Sequence, residues 1–470
     1  MKKKLICSIA ILMVLLVTVL ASACKKEEKF VVPAPGPETL EYEISSDGSY
    51  YSVVGIGTCK SANVVIPATY RGVPVKAIAK EAFKDCGNIT SITIPESVTK
   101  IGTDAFKGTK LIQNEKNVAY VANWAVDCNP EATKATVKDG TVGIAQGAFA
   151  DCAALTSVSL PDSLKNINEE AFTGCTELLK KDNGVIYIDK WVISATATKV
   201  DANDSTNKDT QVALRSNTVG FAALAFKEAN PTTPIVIPAG VKTINDWAFQ
   251  GASSVTGVVL HEDVKSIGFG AFQNCTKLVA IYLGSGLKSI DTNAFAGCSN
   301  LVTIIEDVNA WMAISFAGTN SYPNHFGALY IMDSYGNPVT QLTIPSDTKE
   351  IGASAFENAV LLTKISLPAS VTSIGTAAFS GCIALTDITV PNGVTKIADQ
   401  TFYGCTALAN VTVPKSVQSI LAKAFYGCSN LTSITFTGTK AEWNAIKKNN
   451  VWNTDTGAYV VNCIDGDITK

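Results

Sequence analysis

Thirteen cysteines and two histidines are the residues of this 470-residue chain whose types could support metal binding, redox exchange or nucleophilic catalysis. Each of those chemistries demands a spacing. A structural zinc site wants paired ligands such as Cys-x-x-Cys, and no such pair occurs. Eight cysteines (Cys86, Cys152, Cys175, Cys275, Cys298, Cys382, Cys405 and Cys428) each stand three residues after a phenylalanine, where Ala229, Ala252 and Ala359 stand elsewhere. Interchange with alanine marks a site for a small apolar group, so these thiols are expected to be buried and inert. Cys59, Cys128 and Cys463 lie off that register and leave a local disulfide open in an exported protein. His261 and His325 have no partner motif, and His261 stands where other repeats carry proline. No nucleophile elbow, P-loop or calcium loop is present. The expectation is a protein without enzymatic activity, catalytic residues, metal or cofactor.

The thirteenth-hour exception is Cys24, whose surroundings suggest modification. Lys2-Lys3-Lys4 precede an apolar stretch from Leu5 to Leu20, and Ala21-Ser22-Ala23 supply small residues before the cysteine. That order reads as a secretory signal over residues 1–23. Leu20-Ala21-Ser22-Ala23-Cys24 resembles the bacterial lipobox, which implies lipidation of Cys24 and a membrane attachment through the lipid. Ala21 stands where the lipobox usually has Leu or Val, and Ala-Ser-Ala also suits ordinary signal peptidase, which would give a secreted protein. A retained membrane anchor is the third option, since the stretch is near the lower limit for a span. Residues 24–38 are charged and then proline-rich, through Pro33, Pro35 and Pro37. Such a segment stays extended and would hold the body about 40 Å from the membrane. Cys24-Lys25-Lys26-Glu27-Glu28 also resembles the signal that carries some lipoproteins to the outer cell surface.

The body is a repeat. Phe83 and Phe106 are 23 residues apart, as are Phe149 and Phe172; the same step links Phe226, Phe249, Phe272 and Phe295, and then Phe356, Phe379, Phe402 and Phe425. After Phe379 come Cys382, Leu385, Ile388, Val390, Pro391, Val394 and Ile397, and the units after Phe83 and Phe149 match this pattern. The Ile-x-Ile alternation predicts a short strand with one buried face, ended by proline. Ile-Gly-x-x-Ala-Phe is expected to turn the chain through a short helical or 3₁₀ turn. One unit cannot bury its own apolar side chains, so the units must stack into a solenoid.

The pattern resembles the BspA-like class of bacterial leucine-rich repeats, whose signature is Val-x-x-Ile-x-x-x-Ala-Phe-x-x-Cys-x-x-Leu-x-x-Ile-x-Ile-Pro, across about residues 39 to 463. The fold class this implies is an α/β-type repeat solenoid, predominantly β, with short parallel strands and short helical turns. The resemblance also implies a bacterial surface protein that attaches to host matrix or to other cells through a protein ligand.

The phenylalanine step lengthens to 43, 54 and 61 residues at Phe106–Phe149, Phe172–Phe226 and Phe295–Phe356. The solenoid is therefore expected over 79–435, with insertions near 110–134, 180–212 and 306–341. Tyr120-x-x-x-Trp124 in the first insertion echoes Tyr187-x-x-x-Trp191 in the second, and the third, around Trp311, resembles the C-terminal run around Trp443 and Trp452. Residues 39–78 and 436–470 are expected to cap the ends.

Ten residues after each phenylalanine lies an outward strand position. It is Thr93, Ser159, Ser366, Thr389, Thr412 and Thr435 in the outer repeats, but Val236, Val259, Tyr282 and Ile305 in four consecutive middle ones. A contiguous apolar row marks an interaction site, unless an insertion folds over it; those four are the candidate ligand-binding residues. The net charge of −3 becomes about −6 without Lys2–Lys4, and with no basic stripe nucleic acid is an unsuitable partner. The expected function is protein recognition or adhesion at the cell surface. The alternatives are a glycan- or nutrient-binding lipoprotein and a structural envelope protein.

Overall fold

A computed structural model describes residues 40–199 and 209–469; the signal segment, the tether and Cys24 lie outside the described residues. The body is a solenoid of short strands. In a regular coil a three-residue strand such as Asp387–Thr389 is followed by a two-residue strand such as Lys396–Ile397, and each pairs in parallel with its counterpart one coil on.

The turn into each phenylalanine is not helical. Its key residue lies two before the ring and has a left-handed backbone in every repeat, as at Trp247 (φ 56°), Ala377 (φ 55°) and Gln400 (φ 56°). Left-handed geometry reverses the chain in fewer residues than a helical turn, which suits a coil that must close within 23 residues. Within a run the backbone N–H of the Phe then donates to the next coil, as from Phe379 to Thr401 O at 2.9 Å and from Phe402 to Ala424 O at 2.8 Å. Successive rings stack, with centroids 3.9 Å apart for Phe226–Phe249 and 5.6 Å for Phe379–Phe402.

The array falls into four runs, matching the four groups of evenly stepped phenylalanines. The first three begin alike. Each opens with an antiparallel hairpin whose second strand pairs in parallel with the first regular coil: Glu41–Ile44 with Tyr51–Gly55, Val118–Val121 with Trp124–Cys128, and Val185–Ile188 with Trp191–Ala195. The first two insertions thus restart the solenoid as the N-terminus starts it. In both, the tyrosine hydroxyl accepts a backbone N–H from the returning strand, Lys138 N at 3.0 Å for Tyr120 and Arg215 N at 2.8 Å for Tyr187. The same residues set a cation 4.2 Å above each ring. Trp124 and Trp191 lie flat against Gly143 and Gly220, where a β-carbon would overlap the indole.

The third insertion and the C-terminus also share a plan. Strand Leu301–Ile305 leads into helix α1 (Val308–Met312), then into Ser315–Phe316 and Gly327–Ile331; strand Ser433–Phe436 leads into helix α2 (Lys440–Ala445), then into Lys447–Lys448 and Val460–Cys463. In each case the last strand pairs with the first. Asp307 caps α1 by accepting from Asn309 N and Ala310 N, and Thr439 with Glu442 forms a capping box on α2. Trp311 and Trp443 are the buried residues of these helices.

The N-terminal hairpin also docks on the third run. Lys76 Nζ lies 3.0 Å from Asp291 Oδ2, 3.8 Å from Asp246 Oδ2 and 4.8 Å above the Phe269 ring. Tyr50 packs edge-on against Trp247 and Phe269. Asp47 Oδ2 accepts from Gln273 Nε2 at 3.0 Å and Asn293 Nδ2 at 3.1 Å.

Candidate interaction face

The cysteines belong to the scaffold. Six of the eight repeat thiols form a ladder, donating to the carbonyl of the phenylalanine 26 residues earlier, as Cys175 to Phe149 O at 2.9 Å, Cys275 to Phe249 O at 3.0 Å, and Cys405 to Phe379 O at 3.1 Å; Cys86, in the first coil, is half-buried, not buried as expected. Burial pushes the Cys382 and Cys428 thiols up to about 12 and holds Cys405 well above the usual thiol value. Such thiols stay protonated and unreactive. Cys128 continues one column into the second hairpin, sharing the Asn129 carbonyl with Cys152 at 3.7 Å. No disulfide joins the eleven described cysteines. Among the described residues no group of three or more His, Cys, Asp or Glu converges on a metal position. His261 Nδ1 accepts from Asp263 N at 3.1 Å within its own turn, and His325 Nδ1 pairs with Glu357 Oε1 at 3.0 Å.

The outward sheet face of the third run is where the apolar row was expected, and the structure corrects it twice. Val236, Val259 and Tyr282 do share a row. The residue beside Tyr282, however, is Ile304, not Ile305. Strand Leu301–Ile305 is slipped by one residue, which turns Thr303 and Ile305 inward and Val302 and Ile304 outward. The cause is Glu306: counted from Phe295 it would occupy the last inward position, and an unpaired carboxylate there is too costly. The slip leaves Glu306 exposed.

The second correction concerns exposure. Only Val236 is open to solvent, at 43%; Val259 and Tyr282 are at 2% and Ile305 at 3%. Val259, Tyr282 and Ile304 instead form an apolar layer with Tyr330 and Met332, against which Val360 and Leu361 pack. Tyr330, opposite Ile304 in the inserted strand Gly327–Ile331, has no phenylalanine from which to count. The alternation in Ala328-Leu329-Tyr330-Ile331 was the available signal.

The fourth run presents a different surface. Its seven-stranded sheet carries Thr343, Ser366, Thr389, Thr412 and Thr435 in register, all exposed except the half-buried Thr412. Gln341, Lys364, Asp387 and Asn410 form a second exposed row beside them. At about 4.8 Å per strand the hydroxyl row spans about 19 Å. Its backbone is fixed by the ladder and the core below, so the face is rigid and polar, with both charge signs.

A family model described as "BspA type Leucine rich repeat region (6 copies)" matches residues 76–194, 214–321 and 334–451. No curated protein matches the chain significantly. Among solved structures, the chain is similar to a leucine rich cell surface protein from Faecalibacterium prausnitzii A2-165, with 24% identity over 89% of this chain and 98% of that one and a TM-score of 0.32. A leucine-rich repeat protein from Bacteroides ovatus ATCC 8483 shows 21% identity over 92% and 100%, with a TM-score of 0.37. One from Eubacterium ventriosum ATCC 27560 shows 19% identity over 73% and 93%, with a TM-score of 0.31.

Proposed function

The chain belongs to the BspA-type leucine-rich-repeat family, and from that premise we propose that it is a protein-recognition scaffold held at the bacterial surface by a lipid on Cys24. The observation that carries this reading is the sheet face of the fourth run, where exposed Thr343, Ser366, Thr389 and Thr435 stand beside Lys364 and Asp387. A flat, rigid array of short polar side chains loses little side-chain entropy on binding and offers hydrogen bonds along its length. That suits a large, polar partner surface such as a matrix or cell-surface protein. Val236 stands exposed on the first strand of the third run's sheet, apart from this row. Val259, Tyr282 and Ile305 are buried within the third run and are not part of this face.

The test is capture of matrix proteins and of whole cells by the purified chain, with Thr389→Arg/Thr435→Arg as the blocked variant. Binding should be lost without a change in melting temperature. Capture by the variant equal to that of the parent would remove this face from the function. Attachment is tested separately: a fatty-acid analogue should label the chain in cells and should not label Cys24→Ala.

A further inference from the structure

Lys76 is the only buried lysine among the described residues. Its strand, Val73–Ile78, belongs to the first run, and its side chain reaches across to three consecutive coils of the third. Nζ lies 3.8 Å from Asp246 Oδ2 on the first of them, 4.8 Å above the Phe269 ring on the second and 3.0 Å from Asp291 Oδ2 on the third. One carboxylate is enough to neutralise one ammonium. A second carboxyl and a covering ring around the same amine are more than an ion pair requires.

The two carboxyl groups differ. Asp291 is half-buried, and its Oδ1 accepts from Thr292 N at 2.6 Å. A backbone N–H on that oxygen polarises the carboxyl carbon and stabilises negative charge that develops there during attack. Oδ2, the other oxygen, is the one beside the amine. Asp246 lies deeper. Its Oδ1 accepts from Phe269 N at 2.8 Å, and its Oδ2 is closed off from solvent beside the Thr99 hydroxyl. Burial raises the Asp246 carboxyl above the usual carboxylate range, with Lys76 opposing, which suits this group to hold and return a proton.

We propose that Lys76 and Asp291 condense into an isopeptide bond, with Asp246 as the proton carrier. Before condensation the contact is a buried ion pair. A proton passes from the ammonium to Asp291 within their hydrogen bond, leaving a free amine, the nucleophilic form of lysine, beside an uncharged carboxyl. Nζ attacks Cγ, and negative charge collects on Oδ1 under the Thr292 N–H. Asp246 gives its proton to Oδ2, which leaves as water, and takes one back from the nitrogen. One C–N bond forms and one C–O bond breaks. An ammonium and a carboxylate become an amide and a water, so no oxidant or activating group is consumed. Groups held about 3–3.5 Å apart need no encounter step. The product is favoured because a neutral amide removes the cost of keeping two ions from water. The bond joins residues 215 apart in sequence. It fixes the first run to the third, so a load between the N-terminal hairpin and the fourth run bypasses the second.

The purified, folded chain should be weighed intact after denaturation and then digested with trypsin for tandem mass spectrometry. The expected result is a chain lighter than its sequence by one water, and a linked pair of peptides, Gly72–Lys80 uncut at Lys76 and a second beginning at Ser289. Lys76→Arg and Asp291→Ala should have their full sequence mass. Asp246→Asn should be mostly unlinked. Asp291→Asn should still form the link, now with loss of ammonia, a rescue that a purely structural role for Asp291 does not predict. Should Asp246→Asn fail to fold, the parent and Asp291→Asn still decide. Full sequence mass in the folded parent would overturn the proposal. A missing water that persists in Lys76→Arg would overturn it too, since the dehydration would then lie elsewhere. Normal linking in folded Asp246→Asn would overturn the role given to Asp246.

Discussion

The thiol of Cys405 donates to the carbonyl oxygen of Phe379, 3.1 Å away and one coil back. The same bond recurs at Cys382 to Phe356 O and Cys428 to Phe402 O, both at 3.1 Å. A sulfur that fills a small apolar site also gives the carbonyl a second donor, beside the backbone N–H that already reaches it, as Cys382 N reaches Phe379 O at 3.2 Å. Cys405→Ala should therefore cost about 1–2 kcal/mol, from lost volume and a lost hydrogen bond, as read by urea unfolding. In the native state thiol reagents should label the half-buried Cys59, Cys86 and Cys463 first and leave Cys405 untouched; early labelling of Cys405 would show that the column is open.

The ladder also sets an alkaline limit. A thiol in the unfolded chain titrates near 9.0, whereas burial pushes folded Cys382 and Cys428 up to about 12. Because the folded value is the higher one, the contribution to stability is fully present below pH 9. It declines as pH rises from 9 toward 12, by up to about 1.4 kcal/mol per pH unit per thiol. Urea midpoints measured at pH 8, 9.5 and 10.5 should fall, and Cys382→Ala/Cys428→Ala should flatten the fall. An identical slope in that variant would assign the decline to other groups.

Gly220 meets Trp191 so closely that a β-carbon would come within 2.7 Å of the indole. Gly220→Ala must displace the ring, and overpacking of this kind costs about 1–3 kcal/mol. Tyr187→Phe leaves the Arg215 N–H without its 2.8 Å acceptor and should cost about 1–3 kcal/mol. Thermal melts of the two single variants check both; a silent Gly220→Ala would mean that the third hairpin is not seated on the third run.

The regular coils were legible because phenylalanine, cysteine and isoleucine repeat at one step, and stacking forces equivalent residues into equivalent places. The Tyr-x-x-x-Trp echo was legible for the same reason, since both copies solve one problem: covering the raw end of a sheet. Two things were not. The thiol bonds were hidden by interchange with alanine, which reports size and is blind to hydrogen bonding. The slip at Leu301–Ile305 was hidden because counting from Phe295 assumes that the coil closes before Glu306, while the cost of burying Glu306 overrides the count. Thr303 bears the consequence, being fully buried with Oγ1 unbonded. Thr303→Val should stabilise the protein by about 1 kcal/mol, because it removes a buried hydroxyl without a partner and keeps the shape. In the uncorrected register Thr303 faces outward and the substitution would do nothing measurable in a melt.

Lys76, on the strand Val73–Ile78 that pairs with the N-terminal hairpin, joins the first run to the third, with its side chain only 10% exposed between Asp291 at 3.0 Å and Asp246 at 3.8 Å. No repeat signal marks it, since the contact crosses between runs and depends on where the hairpins restart the array. Removing one partner of a buried ion pair leaves the other charge uncompensated and costs about 3–5 kcal/mol. Lys76→Met should therefore destabilise strongly, although methionine covers the Phe269 ring about as well as the lysine stem does. Neutralising the stranded charges should recover much of the loss, so Lys76→Met/Asp246→Asn/Asp291→Asn is expected to melt well above Lys76→Met alone. Hydrogen exchange should locate the damage: in Lys76→Met, amides of Tyr51–Gly55 and of the turn at Trp247 should lose protection together, while those of Asp387–Thr389 in the fourth run stay protected. Loss confined to the hairpin would mean that it does not brace the third run, and equal melting of the single and triple variants would show that packing, not charge, holds the clasp.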